Sequence, residues 1–172
     1  MKVELSMASD DELHLVAELA HTIWQVHYPP IIGQQQVDYM LHKFYDLKAI
    51  RQQREEGQFF CLVHHQKEVI GFLSFTRNGE SLFFINKFYL LPQLQGKGLG
   101  EMVMNRINTI FLTALENDGI RTPLVVNLTV NRQNYKAINF YFKTGFKIKE
   151  VADFEIGEGF FMNDFIMEKR FS

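Results

Sequence analysis

The stretch FYLLPQLQGKGLGEM, residues 88–102, decides how the rest of this chain is interpreted. It begins as an apolar strand, reaches Pro92, and continues through a glycine-rich loop into a helical pattern. The loop glycines are Gly96, Gly98 and Gly100. The first N–H groups of a helix have no partner inside the helix, and the helix dipole is positive at this end. The stretch therefore predicts an anion-binding site.

The composition is typical of one compact globular domain, which we expect to span residues 1–172. The chain has 172 residues, of which 47% are apolar and 14% aromatic, enough for a sizeable buried core. It carries 18 basic and 20 acidic side chains, for a formal net charge of −2. Such a balance provides no chain-wide basic field, so we expect neither nucleic acid nor an anionic membrane as a partner.

Two further features favour a cytoplasmic location. The single cysteine, Cys61, lies in an apolar run, which excludes an intramolecular disulfide and fits a reducing compartment. The N-terminal sequence MKVELSMASDDE has no apolar signal core, and no apolar run approaches the roughly 20 residues that a membrane span needs. We interpret Cys61 as a core residue rather than a nucleophile.

Hydrophobic spacing predicts the order strand, two or three helices, three strands, helix, strand, helix, two strands. The predicted strands are residues 3–7, 58–65, 69–76, 81–91, 123–130, 146–154 and 160–168. The first predicted helix has its N-cap at Ser9 and ends near Tyr28, and a helical region over 34–56 has a break at Asp46. Two further helices are predicted at 101–116 and 134–144. Short turns require the three consecutive strands to be antiparallel. The fold class is therefore mixed α/β or α+β.

Two common phosphate-binding loops do not fit the glycine stretch. A P-loop requires GxxxxGK followed by Ser or Thr, and this loop contains neither a Lys-Ser nor a Lys-Thr pair. A dinucleotide fingerprint requires GxGxxG between parallel strands, with an acidic residue about 20 residues on at a strand end. Here the glycines are spaced GxGxG, the preceding strands are antiparallel hairpins, and Glu116 falls in a helix.

The pattern Gln95-x-x-Gly98-x-Gly100 resembles the coenzyme A loop of the GNAT N-acetyltransferase superfamily. A second match strengthens this resemblance: NYKAINFY at residues 134–141, followed by KTGF at 143–146, is similar to the family's NxxAxxFYxxxGF segment. The two matches occur in the family's order, and together they extend the resemblance over residues 58–146. A plain structural turn and a packed helix end are the alternative explanations of the two segments.

The resemblance implies a single GNAT-like domain with a mixed, mostly antiparallel sheet and helices on both faces. The strand before the glycine loop and the strand after the following helix would splay apart. It also implies an enzyme, an acetyltransferase that uses acetyl-CoA as cosubstrate and needs no metal. Its acceptor would be a primary amine that attacks the thioester directly.

Carried over residue by residue, the resemblance assigns both cofactor-binding and catalytic groups. Cofactor contacts are implied for Phe88, Tyr89, Leu90, Gln95, Gly96, Lys97, Gly98, Leu99, Gly100, Asn134 and Tyr141. The amide of Leu90 would face the thioester oxygen, and Tyr141 would protonate the departing sulfur. Asn134 could equally be a helix N-cap, and Tyr141 a core aromatic residue. Arg132 could add charge at a phosphate.

The sequence does not identify the residue that accepts the amine proton, nor the amine that accepts the acetyl group. Many relatives carry Glu where this chain has Asn86, which cannot take a proton. Four other groups are candidates for the base: Tyr28, Asp153, Glu155 and Asp164. No spacing of His, Cys and Asp suggests a metal site.

The last hairpin and the first helices are the segments that indicate which molecule accepts the acetyl group. Glu150, Asp153, Glu155 and Glu158 lie close together in sequence, which favours a cationic amine or is simply a solvated face. Trp24, Tyr28, Tyr39 and Tyr45 could line a pocket or belong to the core. The pattern is similar to bacterial polyamine or small-amine acetyltransferases. Acetylation of protein N-termini or lysines, and acyl-CoA binding without catalysis, are the alternatives.

The sequence also bears on oligomerisation. The apolar last hairpin leaves an edge strand that a homodimer could cover. The residues concerned are Phe160, Phe161, Phe165, Ile166 and Met167.

Overall fold

A computed structural model describes residues 2–171, so Met1 and Ser172 of the expected domain lie outside the described residues. The chain divides into two compact units. The first comprises the described residues up to Thr76 together with Lys87–Asn108. The second comprises Arg77–Asn86 and the residues from Thr109 onward.

The elements follow the predicted order closely. The strands are β1 (Val3–Met7), β2 (Phe59–His65), β3 (Glu68–Arg77), β4 (Leu82–Leu90), β5 (Val125–Asn131), β6 (Lys147–Gly157) and β7 (Phe160–Arg170). The helices are α1 (Leu13–His27), α2 (Pro29–Ile32), α3 (Gln34–Tyr45), α4 (Leu47–Glu55), α5 (Leu99–Asn117) and α6 (Tyr135–Lys143). Short 3₁₀ turns occur at Asp10–Glu12 and Pro92–Leu94.

In the first unit, strands β1, β2 and β3 lie side by side, and each pair is antiparallel. Val3 is opposite His65, and Phe59 is opposite Phe75. Helix α1 packs against α3 and α4. Its buried stripe consists of Leu13, Val16, Ala20, Ile23 and Trp24, the three-to-four spacing of an amphipathic helix.

In the second unit, the strands follow one another in the order β4, β5, β7, β6. The β4–β5 pair is parallel, whereas β5–β7 and β6–β7 are antiparallel. Pairing of β4 with β5 runs from Leu82 opposite Val125 to Ile85 opposite Leu128 and then stops, although both strands continue. The mixed, mostly antiparallel sheet is confirmed, whereas the splay of the two strands stays a prediction.

Three element predictions need correction. Helix α2 was not predicted, because Pro29-Pro30 was taken as a stop, yet proline is well tolerated in the first turn of a helix. Helix α5 begins at Leu99 rather than at residue 101. The last hairpin is longer than predicted, with positive φ at Gly157, Glu158 and Gly159 forming its turn. Ser9 caps the 3₁₀ turn that precedes α1, with its N–H donating to Glu12 Oε2 at 2.9 Å, and α1 itself begins at Leu13.

Candidate functional site

The glycine loop joins a short 3₁₀ turn to helix α5. Gly96 and Gly98 have φ of +77° and +78°, the left-handed region that favours glycine. A Cβ at either position would meet nothing within 4 Å, so conformation rather than space requires glycine. Gly100, by contrast, lies in the first turn of α5.

The first N–H groups of α5 have no acceptor within the helix itself. The N–H of Met102 donates to the carbonyl oxygen of Gly98 at 3.3 Å, the first hydrogen bond of the helical ladder. The N–H groups of Leu99, Gly100 and Glu101 precede it and have no acceptor within the helix. Gly96, Lys97 and Gly98 are exposed, whereas the Leu99 side chain is buried and anchors the helix start.

The end of β4 has one backbone edge directed away from β3. The N–H of Leu91 donates to the Ile70 carbonyl oxygen on β3 at 2.9 Å. Because successive residues of an extended chain direct their N–H and C=O groups to opposite edges, the groups of Leu90 face away from β3. The Leu90 carbonyl accepts a hydrogen bond of 3.0 Å from Gln95 Nε2. Gln95 thus ties the loop to the strand end.

Asn134 and Tyr141 lie at opposite ends of α6 in the second unit. Asn134 is buried, and its side-chain oxygen accepts a 3.3 Å hydrogen bond from the Ala137 N–H, so its role as an N-cap is observed. Tyr141 is 8% exposed, and its ring packs on Phe146 with centroids 5.7 Å apart. Burial raises the pKa of the Tyr141 hydroxyl, which keeps the phenol protonated at neutral pH.

The predicted site residues are therefore divided between the two units. Phe88, Tyr89, Leu90 and the loop from Gln95 to Gly100 belong to the first unit, and Asn134 and Tyr141 to the second. Asn86, which stands where many relatives have Glu, is exposed at the end of the β4 segment that belongs to the second unit.

Sequence reasoning missed Lys87, which is only 8% exposed. Its Nζ donates to Gln58 Oε1 at 3.0 Å, and the Ser74 hydroxyl donates to the same oxygen at 2.8 Å. The ammonium also lies 5.3 Å from the centroid of the Tyr45 ring. Burial lowers the pKa of Lys87 to about 8. The available signal was a lysine, next to Asn86, in the mainly apolar strand LFFINKFYL.

Three of the four aromatic residues singled out from the sequence meet in the first unit, joined by Tyr89. The Trp24 and Tyr28 rings are 4.2 Å apart, and Trp24 and Tyr45 are 5.0 Å apart. The Tyr45 hydroxyl donates to that of Tyr89 at 3.4 Å, and burial raises the pKa of Tyr45. Tyr39 is instead bonded to Lys43 Nζ at 3.1 Å.

The candidate bases differ sharply in environment. Asp153 is exposed and pairs with Arg132 at 2.7 Å, which engages both residues. Glu155 is exposed, and Tyr28 is half-buried among aromatic rings. Asp164 is only 4% exposed, and burial raises its pKa to about 6. The acidic hairpin residues Glu150, Asp153, Glu155 and Glu158 are all exposed, which matches a solvated face.

Neither a membrane-spanning helix nor a metal-binding cluster occurs within residues 2–171. None of their helices is long and apolar enough to cross a bilayer. No three His, Cys, Asp or Glu side chains within that range are grouped so as to hold a metal ion.

Sequence comparison identifies relatives along the whole chain. Residues 30–160 match the family model described as an acetyltransferase (GNAT) domain. A spermidine N(1)-acetyltransferase of Thermoplasma acidophilum is 26% identical, with the alignment covering 99% of each chain. An uncharacterized N-acetyltransferase of Mycobacterium bovis is 32% identical over 60% of this chain and 61% of its own length.

Structure comparison gives the same fold. The PaiA N-acetyltransferase of Thermoplasma acidophilum, solved in complex with coenzyme A, aligns with a TM-score of 0.76 and 24% identity over 99% of this chain and 100% of that one. A spermidine N-acetyltransferase of Vibrio cholerae, solved with CoA and spermine, aligns with a TM-score of 0.66 and 18% identity over 98% and 95%. Because the family model matches most of the chain, this protein belongs to the GNAT acetyltransferase family.

Proposed function

We propose that this member of the GNAT family transfers the acetyl group of acetyl-CoA to a primary amine of a small molecule, acting as a single N-acetyltransferase domain. The observation that carries the proposal is the loop from Gln95 to Gly100, in which Gly96, Lys97 and Gly98 are exposed and both Gly96 and Gly98 have positive φ. The N–H groups at the start of the 19-residue helix α5 have no acceptor within the helix and suit a pyrophosphate. Lys97 adds a positive charge in the same loop.

The amine half of the proposal is supported by the relatives. The protein aligned along 99% of both chains is a spermidine acetyltransferase, and a structural neighbour was solved with spermine. An aliphatic primary amine is thus the acceptor class to test first. Peptide acetylation and acyl-CoA binding without turnover are alternative outcomes of the same test.

The end of β4 supplies the main-chain part of the donor site. Acetyl-CoA would bring the acetyl group as a thioester, the activated form that an amine can attack. We assign main-chain contacts to Phe88, Tyr89 and Leu90. The Leu90 N–H, directed away from β3, would donate to the thioester oxygen and stabilise the negative charge that develops there.

Tyr141 is assigned the proton for the departing sulfur. The phenol is protonated at neutral pH, as a proton donor must be, and burial raises its pKa above the ordinary value. Among residues 2–171 its hydroxyl forms no hydrogen bond, so the proton is not committed to another side chain. Asn134 would contact the cofactor while capping α6.

The decisive experiment measures thiol release from acetyl-CoA by the purified full chain. Acceptors are spermidine, spermine, amino sugars, aminoglycosides and lysine-containing peptides. Turnover with a small amine supports the proposal. Turnover with peptides alone supports protein acetylation, and tight acetyl-CoA binding without turnover supports a sensor.

The role of Tyr141 is tested in the same assay. Tyr141→Phe should lower kcat by about 100-fold or more, the typical contribution of a positioned acid, and leave the acetyl-CoA Kd within about twofold. Tyr135→Phe is the matched control, because Tyr135 lies on the same helix and is 70% exposed. Unchanged turnover in Tyr141→Phe would remove Tyr141 from the mechanism.

Two further expectations stay predictions. The edge strand β6 carries bulges at Ile148/Glu150 and Glu155/Gly157, features that protect an edge, so a homodimer through it needs direct measurement of molecular mass in solution. A cytoplasmic location is expected from the single cysteine.

A further inference from the structure

The second unit contains a buried carboxylate that the proposed mechanism does not use. Asp164 on β7 is 4% exposed, and no lysine or arginine within residues 2–171 forms an ion pair with it. Glu168 on the same strand is also largely buried, but Lys149 and Arg170 neutralise it at 3.2 and 2.6 Å. Burying an unpaired carboxylate is costly, so its retention suggests a function.

Asp164 lies beside the end of β5. It is opposite Asn131, the last residue of β5, and opposite Ala152 on β6. The β4–β5 pairing ends at Leu128, so Thr129–Asn131 is the part of β5 beyond that pairing. Thr129 hydrogen-bonds the Asp164 carboxylate from this segment.

The same position is connected to a predicted cofactor residue. The Asn131 carbonyl accepts a 2.9 Å hydrogen bond from the Asn134 N–H, and Asn131 Oδ1 accepts one from the Gln133 N–H at 2.9 Å. These bonds fix the turn from β5 into α6. Asp164 therefore lies one strand away from the turn that orients Asn134.

The charges around Asp164 are few and identifiable. Arg132 in the β5–α6 turn and Asp153 on β6 form an ion pair with each other at 2.7 Å. Glu150 on β6 is opposite Ile166 and is exposed. Burial is the main cause that raises the Asp164 pKa to about 6, with Asp153 raising it further and Thr129 and Arg132 lowering it.

We propose that the Asp164 carboxylate is the proton acceptor for the amine substrate, an assignment that rests on the proposed acetyl transfer. One proton moves from the ammonium nitrogen to an Asp164 carboxylate oxygen and then to solvent. The freed nitrogen pair forms the C–N bond as the C–S bond breaks, and the sulfur takes the Tyr141 proton. The second nitrogen proton restores the Tyr141 hydroxyl, leaving an amide, a thiol and one released proton.

The first test is Asp164→Asn with spermidine as acceptor. We expect kcat/KM to fall by about 100-fold or more, with the acetyl-CoA Kd within about twofold of wild type. Glu116→Gln, a change at an exposed carboxylate on helix α5, is the matched control and should retain wild-type activity. Wild-type-like kcat/KM in Asp164→Asn overturns the inference and leaves the proposed function intact. A wild-type chain that acetylates no amine overturns both.

A second test remains informative even if Asp164→Asn fails to fold. Because an ionised carboxylate is required, wild-type kcat/KM should fall as pH drops through about 6. Asp153→Asn removes a charge that raises the Asp164 pKa, so this acid limb should move to lower pH. Thr129→Val removes the hydrogen bond that lowers the Asp164 pKa, so the acid limb should move to higher pH. A limb that stays fixed in both variants overturns the assignment.

Discussion

Gln95 Nε2 donates a 3.0 Å hydrogen bond to the carbonyl oxygen of Leu90. This contact links the first defined position of the glycine motif to the residue whose N–H is assigned to the thioester oxygen. The motif glutamine therefore connects the glycine loop to the backbone of β4, the two parts of the proposed donor site. The carbonyl that it satisfies lies on the backbone edge directed away from β3.

Removal of this contact should loosen the donor site. A hydrogen bond of this kind contributes about 1 kcal/mol, so Gln95→Leu should raise the KM for acetyl-CoA by about fivefold. Steady-state kinetics with varied acetyl-CoA measure it. Gln93→Leu, an exposed glutamine in the preceding turn, serves as control. Equal KM values for the two variants would show that Gln95 does not position the loop.

Gly71 on β3 has no room for a side chain. A Cβ there would lie 2.2 Å from the Tyr89 carbonyl oxygen, a backbone atom that cannot rotate away. Gly71→Ala should lower the free energy of unfolding by about 1–3 kcal/mol and raise the acetyl-CoA KM, because β4 must shift. Gly79→Ala is the control, since the nearest atom to its Cβ is Leu82 Cβ at 3.5 Å. Chemical denaturation compares the two, and equal stability would contradict the steric argument.

Asn134 allows its two roles to be separated. Its side-chain oxygen caps α6, and Asn134→Asp retains an acceptor while removing the amide N–H₂. If the amide contacts the cofactor, Asn134→Asp should weaken acetyl-CoA binding with little loss of stability. Asn134→Ala should both weaken acetyl-CoA binding and remove the helix cap, with a stability loss of about 1 kcal/mol. Calorimetric Kd values and melting temperatures compare the two variants. Wild-type affinity for acetyl-CoA in Asn134→Asp would leave helix capping as the sole role of Asn134.

Lys87 should make stability depend on pH. Its folded-state pKa of about 8 lies below the ordinary value of 10.5, so the unfolded chain binds more protons between these pH values and stability rises with pH. Lys87→Met removes the cost of burying the ammonium and leaves Gln58 Oε1 bonded to Ser74. The variant should be more stable than wild type by up to about 3 kcal/mol at pH 7, and by less at pH 10.

Urea denaturation at the two pH values measures this difference. The exposed Lys48→Met provides the comparison for a lysine without burial. A stability difference between Lys87→Met and wild type that does not change with pH would show that Lys87 is not buried as a titrating amine.

Much of the fold could be predicted because its signals are local. The alternation of Val3, Leu5 and Met7 gave β1 with its observed bounds. The loop from Gln95 to Gly100 and the segment starting at Asn134 were located from spacing, since turn conformation and helix capping depend on neighbouring residues. The short helix α2 was missed because Pro29 can either stop or begin a helix.

The chain by itself determined the elements, the glycine loop and the family resemblance. Only the tertiary structure decided which charged groups are buried. Asp153 and Asp164 look alike in the sequence, yet one is exposed in an ion pair and the other lies buried beneath neighbouring strands. Likewise, Lys87 is buried through contacts with Gln58 and Tyr45. The physical reason is that burial, and with it the pKa, depends on strands and helices that are distant along the chain.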